Sequence, residues 1–300
     1  MNFYHLFGLH VVSELELPEL ITAETTVHAP DVKITFNPVP ERLTGSFFNH
    51  KLGQTTSTES LLKIDSVGRF YIKQGREIVI ERCPECSRDI LRLYVLGSCF
   101  GALLHQRKLL PLHASAICHN GKAVLFTGRS KAGKSTTAHA LVQKGYPLHT
   151  DDICVIGGEN GQTLVYPGYP QMKMWADALD YHGLDTTSFK SLQYRTEKYA
   201  VPMLHRFNQE PVPLERIYIL RKKEVEDIEI HQLTGMKKFI AVRNNTYRYG
   251  FLKAMRLTHA NFEQLSTTLN DVPVKCIVRP TSKHTLDELV SIIELEMQNQ

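Results

Sequence analysis

The order of apolar and polar positions divides the chain into a strand-rich beginning and a mixed remainder. Between Phe3 and about Arg82 the apolar residues alternate with polar ones in short runs broken by Pro and Gly, as in Val32-Lys33-Ile34-Thr35-Phe36 and Phe70-Tyr71-Ile72-Lys73. A period of two marks strands with one buried face. The second run leads through Gln74-Gly75-Arg76-Glu77 into Ile78-Val79-Ile80, which predicts a hairpin. A helix is expected over Ser87 to Arg107; the strands before it carry no catalytic signature, and peptide recognition or plain packing are the two roles open to them. The pattern places a β-rich unit at residues 1–86 and a second, α/β unit at 87–300.

Within the second unit, Ala114-Ser115-Ala116-Ile117-Cys118 and Ala123-Val124-Leu125-Phe126 flank His119-Asn120-Gly121-Lys122. Asn-Gly between two strand-like runs is a strong hairpin signal, because both turn residues must take positive φ. A two-residue turn there sets His119 opposite Lys122 and, continuing outward, His113 opposite Gly128. Ser135 to Lys144 reads as a helix stopped by Gly145. Ile153 to Ile156 is expected as a strand, Gly157-Gly158-Glu159-Asn160-Gly161 as a turn, and Thr163 to Tyr166 as the returning strand. A loop from Tyr166, punctuated by Pro167, Gly168 and Pro170, leads to a helix over Ala176 to Tyr181. Further strands are expected near Ile217–Leu220 and Ile228–His231. The chain closes on a helix with Thr285 and Glu288 at capping-box spacing and Leu286, Leu289, Val290, Ile293 and Met297 on one apolar face.

Composition narrows the chemistry. With 300 residues, 42% hydrophobic and 22% charged, the chain can bury a sizeable core. A net charge of +4 is too small to announce a nucleic-acid partner, and Arg221-Lys222-Lys223 and Lys237-Lys238 read as solvated faces. The start of the chain lacks the pattern of a signal peptide, and the apolar stretch Leu93 to Leu104 is too short to cross a bilayer. A cytoplasmic protein with reduced cysteines, neither membrane-bound nor nucleic-acid-bound, is the expectation. Cys83-Pro84-Glu85-Cys86 has knuckle spacing but no second ligand pair, so it is assigned no chemistry.

The chemistry gathers around Gly128-Arg129-Ser130-Lys131-Ala132-Gly133-Lys134-Ser135, followed by Thr136. These residues fit the phosphate-binding pattern G-x-x-x-x-G-K-[ST], in the order strand, glycine loop, helix. Backbone N–H groups of such a loop wrap phosphate oxygens, Lys134 brings a charge to the transferring end, and Ser135 offers a hydroxyl to Mg²⁺. ATP and Mg²⁺ are therefore the expected cofactors. The hairpin register brings His113 to the mouth of this loop. The adjacent carboxylates of Asp151 and Asp152 repel unless a cation or proton lies between them, which Mg²⁺ resolves. They precede an apolar run, whereas the metal-binding acid of transporter and motor ATPases ends one. Lys173 and Lys198 are candidate phosphate contacts, and the polar, aromatic and basic segment Arg243 to Tyr249 has no diagnostic spacing.

Three stretches in order, Leu112-His113-Ala114-Ser115, Gly128 to Ser135 and Thr150-Asp151-Asp152, resemble the HPr serine kinase superfamily. Within it they are similar to the smaller HPr-kinase-like proteins that include lasso-peptide precursor kinases. Weaker echoes are Phe7-Gly8-Leu9, Ser13-Glu14-Leu15, Pro167-Gly168 to Trp175, and Leu214-Glu215-Arg216-Ile217. The resemblance implies a P-loop kinase core of the HPr-kinase/PEP-carboxykinase-like type beside the β-rich N-terminal unit. It implies a relay of His113 with Asp151 as base, Lys134 on the phosphates, and Ser135 and Asp152 on the metal; the two aspartates are interchangeable at this stage. The expected acceptor is a serine hydroxyl of a peptide or small protein, in a chain that can form a homo-oligomer. The family's glycine-rich C-terminal signature is not recognisable here, which points away from HPr as substrate. A small-molecule kinase or a non-catalytic nucleotide-sensing module would use the same loop.

Overall fold

The computed structural model describes residues 1–24, 29–45, 47–50, 52–159, 161–193 and 196–298, so Asn160 of the expected turn lies outside the described residues. The fold is mixed α/β. The chain forms two compact units, the first made of Met1–Pro111 with Leu192–Thr196 and Tyr247–Gln264, the second of Leu112–Ser191, Glu197–Thr246 and Leu265–Gln300.

The first unit is built on a nine-stranded sheet, among the described residues, ordered 21–22, 2–6, 9–13, 32–36, 77–82, 68–73, 59–64, 53–55, 48–50. Val32–Phe36 buries Val32 and Ile34 and turns Lys33 outward, as its alternation requires. The expected hairpin forms, with Phe70 opposite Ile80 and Lys73 opposite Glu77. The boundary between units falls at Leu112 and not at residue 87, for a physical reason. The helical stretch 88–106, with one wide turn at Val95–Cys99, buries Leu91, Val95, Phe100, Leu103 and Leu104 within the first unit. There the Phe100 ring meets Phe7 edge-on at 6.2 Å. Its apolar residues belong to the core of the strands that precede it.

The second unit holds a sheet in which 148–150, 114–119, 122–127, 212–223, 274–280 and 229–233 are successive neighbours. Strand 122–127 is parallel to 212–223, and 212–223 is parallel to 274–280. Strand 114–119 runs antiparallel to both 122–127 and 148–150. The hairpin register is as expected, from His119 opposite Lys122 to Ala114 opposite Thr127, and Asn120 and Gly121 take φ of +48° and +72°. Helix Lys134–Gln143 ends before Gly145 at φ +104°. The closing helix Leu286–Gln298 buries the expected five residues, Leu286, Leu289, Val290, Ile293 and Met297. These pack with Ala138, Leu141 and Val142 of the first helix and with Phe126, Tyr218 and Ile277 of the sheet in one core. Strand Val274–Pro280, which periodicity does not mark, is the element on which Ile217–Lys223 completes its pairing. No helix among the described residues is long and apolar enough to cross a membrane.

Candidate active site

Strand directions decide which residues meet. Strands 122–127, 148–150, 212–223 and 274–280 point the same way, and 114–119 points oppositely. The ends of the first four therefore share one edge with the start of the fifth. That edge collects Gly128, Asp151, Lys222 and Arg279 from strand ends and His113 and Ser115 from a strand beginning, at the carboxyl side where open α/β sheets take ligands. Asp151 was expected at the entrance of the strand over Ile153–Ile156. Instead it follows the three-residue strand Leu148–Thr150, and the next strand begins at Cys154. The acid thus stands at a strand's carboxyl end beside the loop, one hairpin arm removed from it.

The loop owes its shape to glycine at two places. Gly128 has φ +146°, and a Cβ there would fall 2.4 Å from the Leu220 carbonyl oxygen of the neighbouring strand. Gly133, at φ +99°, turns the chain into helix Lys134–Gln143. The Lys134 ammonium donates to the carbonyls of Gly128 (3.0 Å) and Arg129 (3.3 Å), bridging the loop from inside. Burial draws its pKa below the ordinary lysine value, opposed by Asp151 and Asp152. Ala132 is buried in the apolar core, which leaves its backbone N–H as the group the loop can offer a phosphate. Lys131 and Lys198 both hold their ammonium groups over the Trp175 ring, at 5.0 and 5.1 Å.

The two aspartates stand in different surroundings. Asp151, 4% exposed, accepts from Ser115 Oγ (2.6 Å) and Ser135 Oγ (2.9 Å) on Oδ1 and from the Lys173 backbone N–H (2.7 Å) on Oδ2. All of these donors are neutral. Asp152 sits at φ +71°, a left-handed conformation that aspartate tolerates better than most residues. Its Oδ2 receives the Lys173 ammonium at 2.8 Å, and its Oδ1 lies 3.4 Å from His113 Nδ1. Burial would raise the Asp152 carboxyl, but Lys173, His113 and Lys198 outweigh it and hold the group well below the usual carboxylate range. His113 Nδ1 also lies 3.0 Å from the Asp152 carbonyl, which can only accept, so this nitrogen carries the proton. Burial lowers the His113 pKa, Asp152 draws it back up, and Lys134 lowers it further.

Of the two assignments the sequence leaves open, the side chains pair Ser135 with Asp151 and His113 with Asp152. The reason lies in the strands. His113 and Ser115 are two residues apart on one strand edge and share a face. Asp151 continues strand 148–150 toward Ser115, and the left-handed turn at Asp152 swings its carboxylate to His113 and Lys173. Ser115, which the sequence marks only by this period of two from His113, is the residue that donates to Asp151.

One cavity of about 250 Å³ is lined by His113, Ser130, Lys131, Gly133, Lys134, Ser135, Thr136, Asp151 and Asp152 together. Lys173, Trp175, Lys198, Lys222 and Arg279 also line it, while Gly128 and Arg129 contribute the carbonyls that hold Lys134. Six cationic side chains face it against three carboxylates, a balance suited to a polyphosphate. Among the described residues there is no cluster of three His, Cys, Asp or Glu able to hold a metal unaided. Ser135 and Asp151 offer a hydroxyl and a carboxylate 2.9 Å apart, hard oxygen donors that fit Mg²⁺ completed by phosphate and water.

No family model and no curated protein matches the chain. Among solved structures the chain is similar to the HPr(Ser) kinase/phosphatase from Coxiella burnetii, at 15% identity, covering 63% of this chain and 99% of that one with a TM-score of 0.31.

Proposed function

We propose that this protein is an ATP- and Mg²⁺-dependent kinase that transfers the γ-phosphoryl group to a serine hydroxyl of a peptide or small protein. A lasso-type precursor peptide is the acceptor class the sequence resemblance implies. The observation that supports this reading is the meeting of a glycine loop, the Ser135–Asp151 pair and the His113–Asp152 pair on one cavity.

In this reading the loop amides and Lys134 hold the β- and γ-phosphates, so that the Lys134 ammonium exchanges its two carbonyl acceptors for phosphate oxygens. Ser135 and Asp151 would hold Mg²⁺, which when bound neutralises charge on the phosphates. Asp152 is the group placed to accept the acceptor's hydroxyl proton, with His113 and Lys173 fixing the carboxylate's direction. As the serine oxygen bonds to the γ-phosphorus, the bond from phosphorus to the bridging oxygen breaks, ADP leaves, and the proton passes to Asp152. Against burial, Lys173 and His113 hold the Asp152 carboxyl below the usual carboxylate range, so it stands ionised and able to accept that proton.

Incubation with γ-labelled ATP, Mg²⁺ and a serine-containing peptide tests this reading. The expected result is acceptor-dependent labelling that Asp152→Asn slows by about 10²- to 10⁴-fold. Nucleotide binding without labelling of any peptide, protein or small-molecule hydroxyl would leave a sensing module as the better description.

A further inference from the structure

Arg279 is the penultimate residue of strand Val274–Pro280, the strand whose direction brings its last residues to the same edge as the phosphate loop. No motif singles it out, and the proposed reaction leaves it without a role. Its side chain is only 7% exposed. The Nε donates to Thr285 Oγ1 at 3.1 Å, the hydroxyl expected to cap the closing helix, and this bond fixes the plane of the guanidinium. Nη1 is buried with no acceptor in reach, and among the described residues no carboxylate lies within 4.0 Å of the group. It is packed against the loop itself: a Cβ on Gly133 would lie 2.8 Å from Nη1. The guanidinium also lines the cavity with Ser135 and Thr136.

A buried cation that is oriented by one hydrogen bond, has an unsatisfied donor and touches a glycine loop is missing an anion. Structural arginines at such depth pair with carboxylates, whereas this one is held beside backbone amides that themselves favour an anion at a helix N-terminus. We infer that Arg279 is a phosphate-binding residue, donating through Nη1 to the phosphate chain of a nucleoside di- or triphosphate held by the loop Gly128–Ser135. The inference rests on the nucleotide reading of that loop and adds a contact from the far end of the chain. Such a contact also gives glycine at 133 a use beyond the demands of its φ, since a side chain there would displace the guanidinium. The arginine needs the space.

The test is calorimetric titration of Mg·ADP and of inorganic pyrophosphate into the wild type, Arg279→Met and Arg279→Lys, with melting curves taken without ligand. Loss of a charge-assisted hydrogen bond predicts weaker binding of both ligands by roughly 10- to 100-fold in Arg279→Met. Arg279→Lys keeps the charge but loses the fork, and a smaller loss is expected. Because Arg279→Met removes an unsatisfied buried donor, its unliganded melting temperature should equal or exceed that of the wild type. Equal affinities in all three proteins would overturn the inference. So would melting of both variants several degrees below the wild type without ligand, which would mark Arg279 as a structural strut. If the wild type bound neither ADP nor pyrophosphate, the kinase reading would fall, and this contact with it.

Discussion

Two sides of one cavity, one residue apart in sequence, are built from opposite materials. On the Asp151 side a carboxylate is held by two hydroxyls and a backbone amide, all neutral. On the Asp152 side a carboxylate is held by an ammonium and an imidazole, with a second lysine behind them. Neutral donors leave the full negative charge of Asp151 available to a cation. The cations around Asp152 largely spend that charge and fix its direction, which suits a group that receives one proton from one place. The contrast teaches that adjacent acids of identical chemistry are made different by what surrounds them.

The strongest way to break this comparison is to neutralise each acid in turn. Asp152→Asn should lower kcat by about 10²- to 10⁴-fold with little change in the Mg²⁺ concentration needed for half-activity. Asp151→Asn should raise that Mg²⁺ requirement by at least about tenfold as well as lowering kcat. Steady-state kinetics across a Mg²⁺ series separates the two. Identical Mg²⁺ dependence in both variants would show that the two sides are one site without division of roles.

Gly128→Ala strikes the support common to both sides. Its Cβ would collide with the Leu220 carbonyl at 2.4 Å, in a backbone conformation that alanine resists. A stability loss of about 1–3 kcal/mol is expected, read from urea unfolding, together with loss of nucleotide binding. Ser115→Ala sharpens the neutral side alone. Removing one donor from a buried carboxylate should cost about 1–3 kcal/mol in stability and raise the Mg²⁺ requirement a few-fold, with the pH profile of kcat unchanged.

The smallest effect is on the pH dependence of folding. Burial pushes His105, His139 and His149 down to about 4, and His113 moves the same way. Each folded value lies below the unfolded one near 6.5, so the unfolded chain binds more protons between the two. Their contribution is complete above pH 6.5 and is lost as pH falls through about 4. Asp152 has the same sign but acts only below the ordinary carboxylate range. Melting temperature should therefore fall by several degrees from pH 7 to pH 5, and a flat or rising curve would contradict these environments.

Local features of the fold were legible in the sequence. Asn120-Gly121 gave its hairpin and register, and Gly145 its helix end. The closing helix gave its apolar face residue by residue, because a single turn or a single period determines each. What could not be read depended on partners distant in the chain. Leu148–Thr150 is too short to show a period, so Asp151 looked like the entrance to the next strand. The pairing of Ser135 with Asp151 and of His113 with Asp152, open in the sequence, follows from the left-handed turn at Asp152. Thr285 had the look of a helix cap, and its hydroxyl proved to receive Arg279 from a strand that carries no alternation. The site's residue types were readable, and their pairing required the sheet.

The central claim is that the Asp151 side takes the metal and the Asp152 side takes the proton. A crystal structure with Mg²⁺ and a non-hydrolysable ATP analogue tests it most directly. The account predicts phosphates inside the loop Gly128–Ser135 and the cation about 2.0–2.1 Å from Ser135 Oγ, on the Asp151 side. A cation lodged between His113 and Asp152, or phosphates outside the loop, would contradict it.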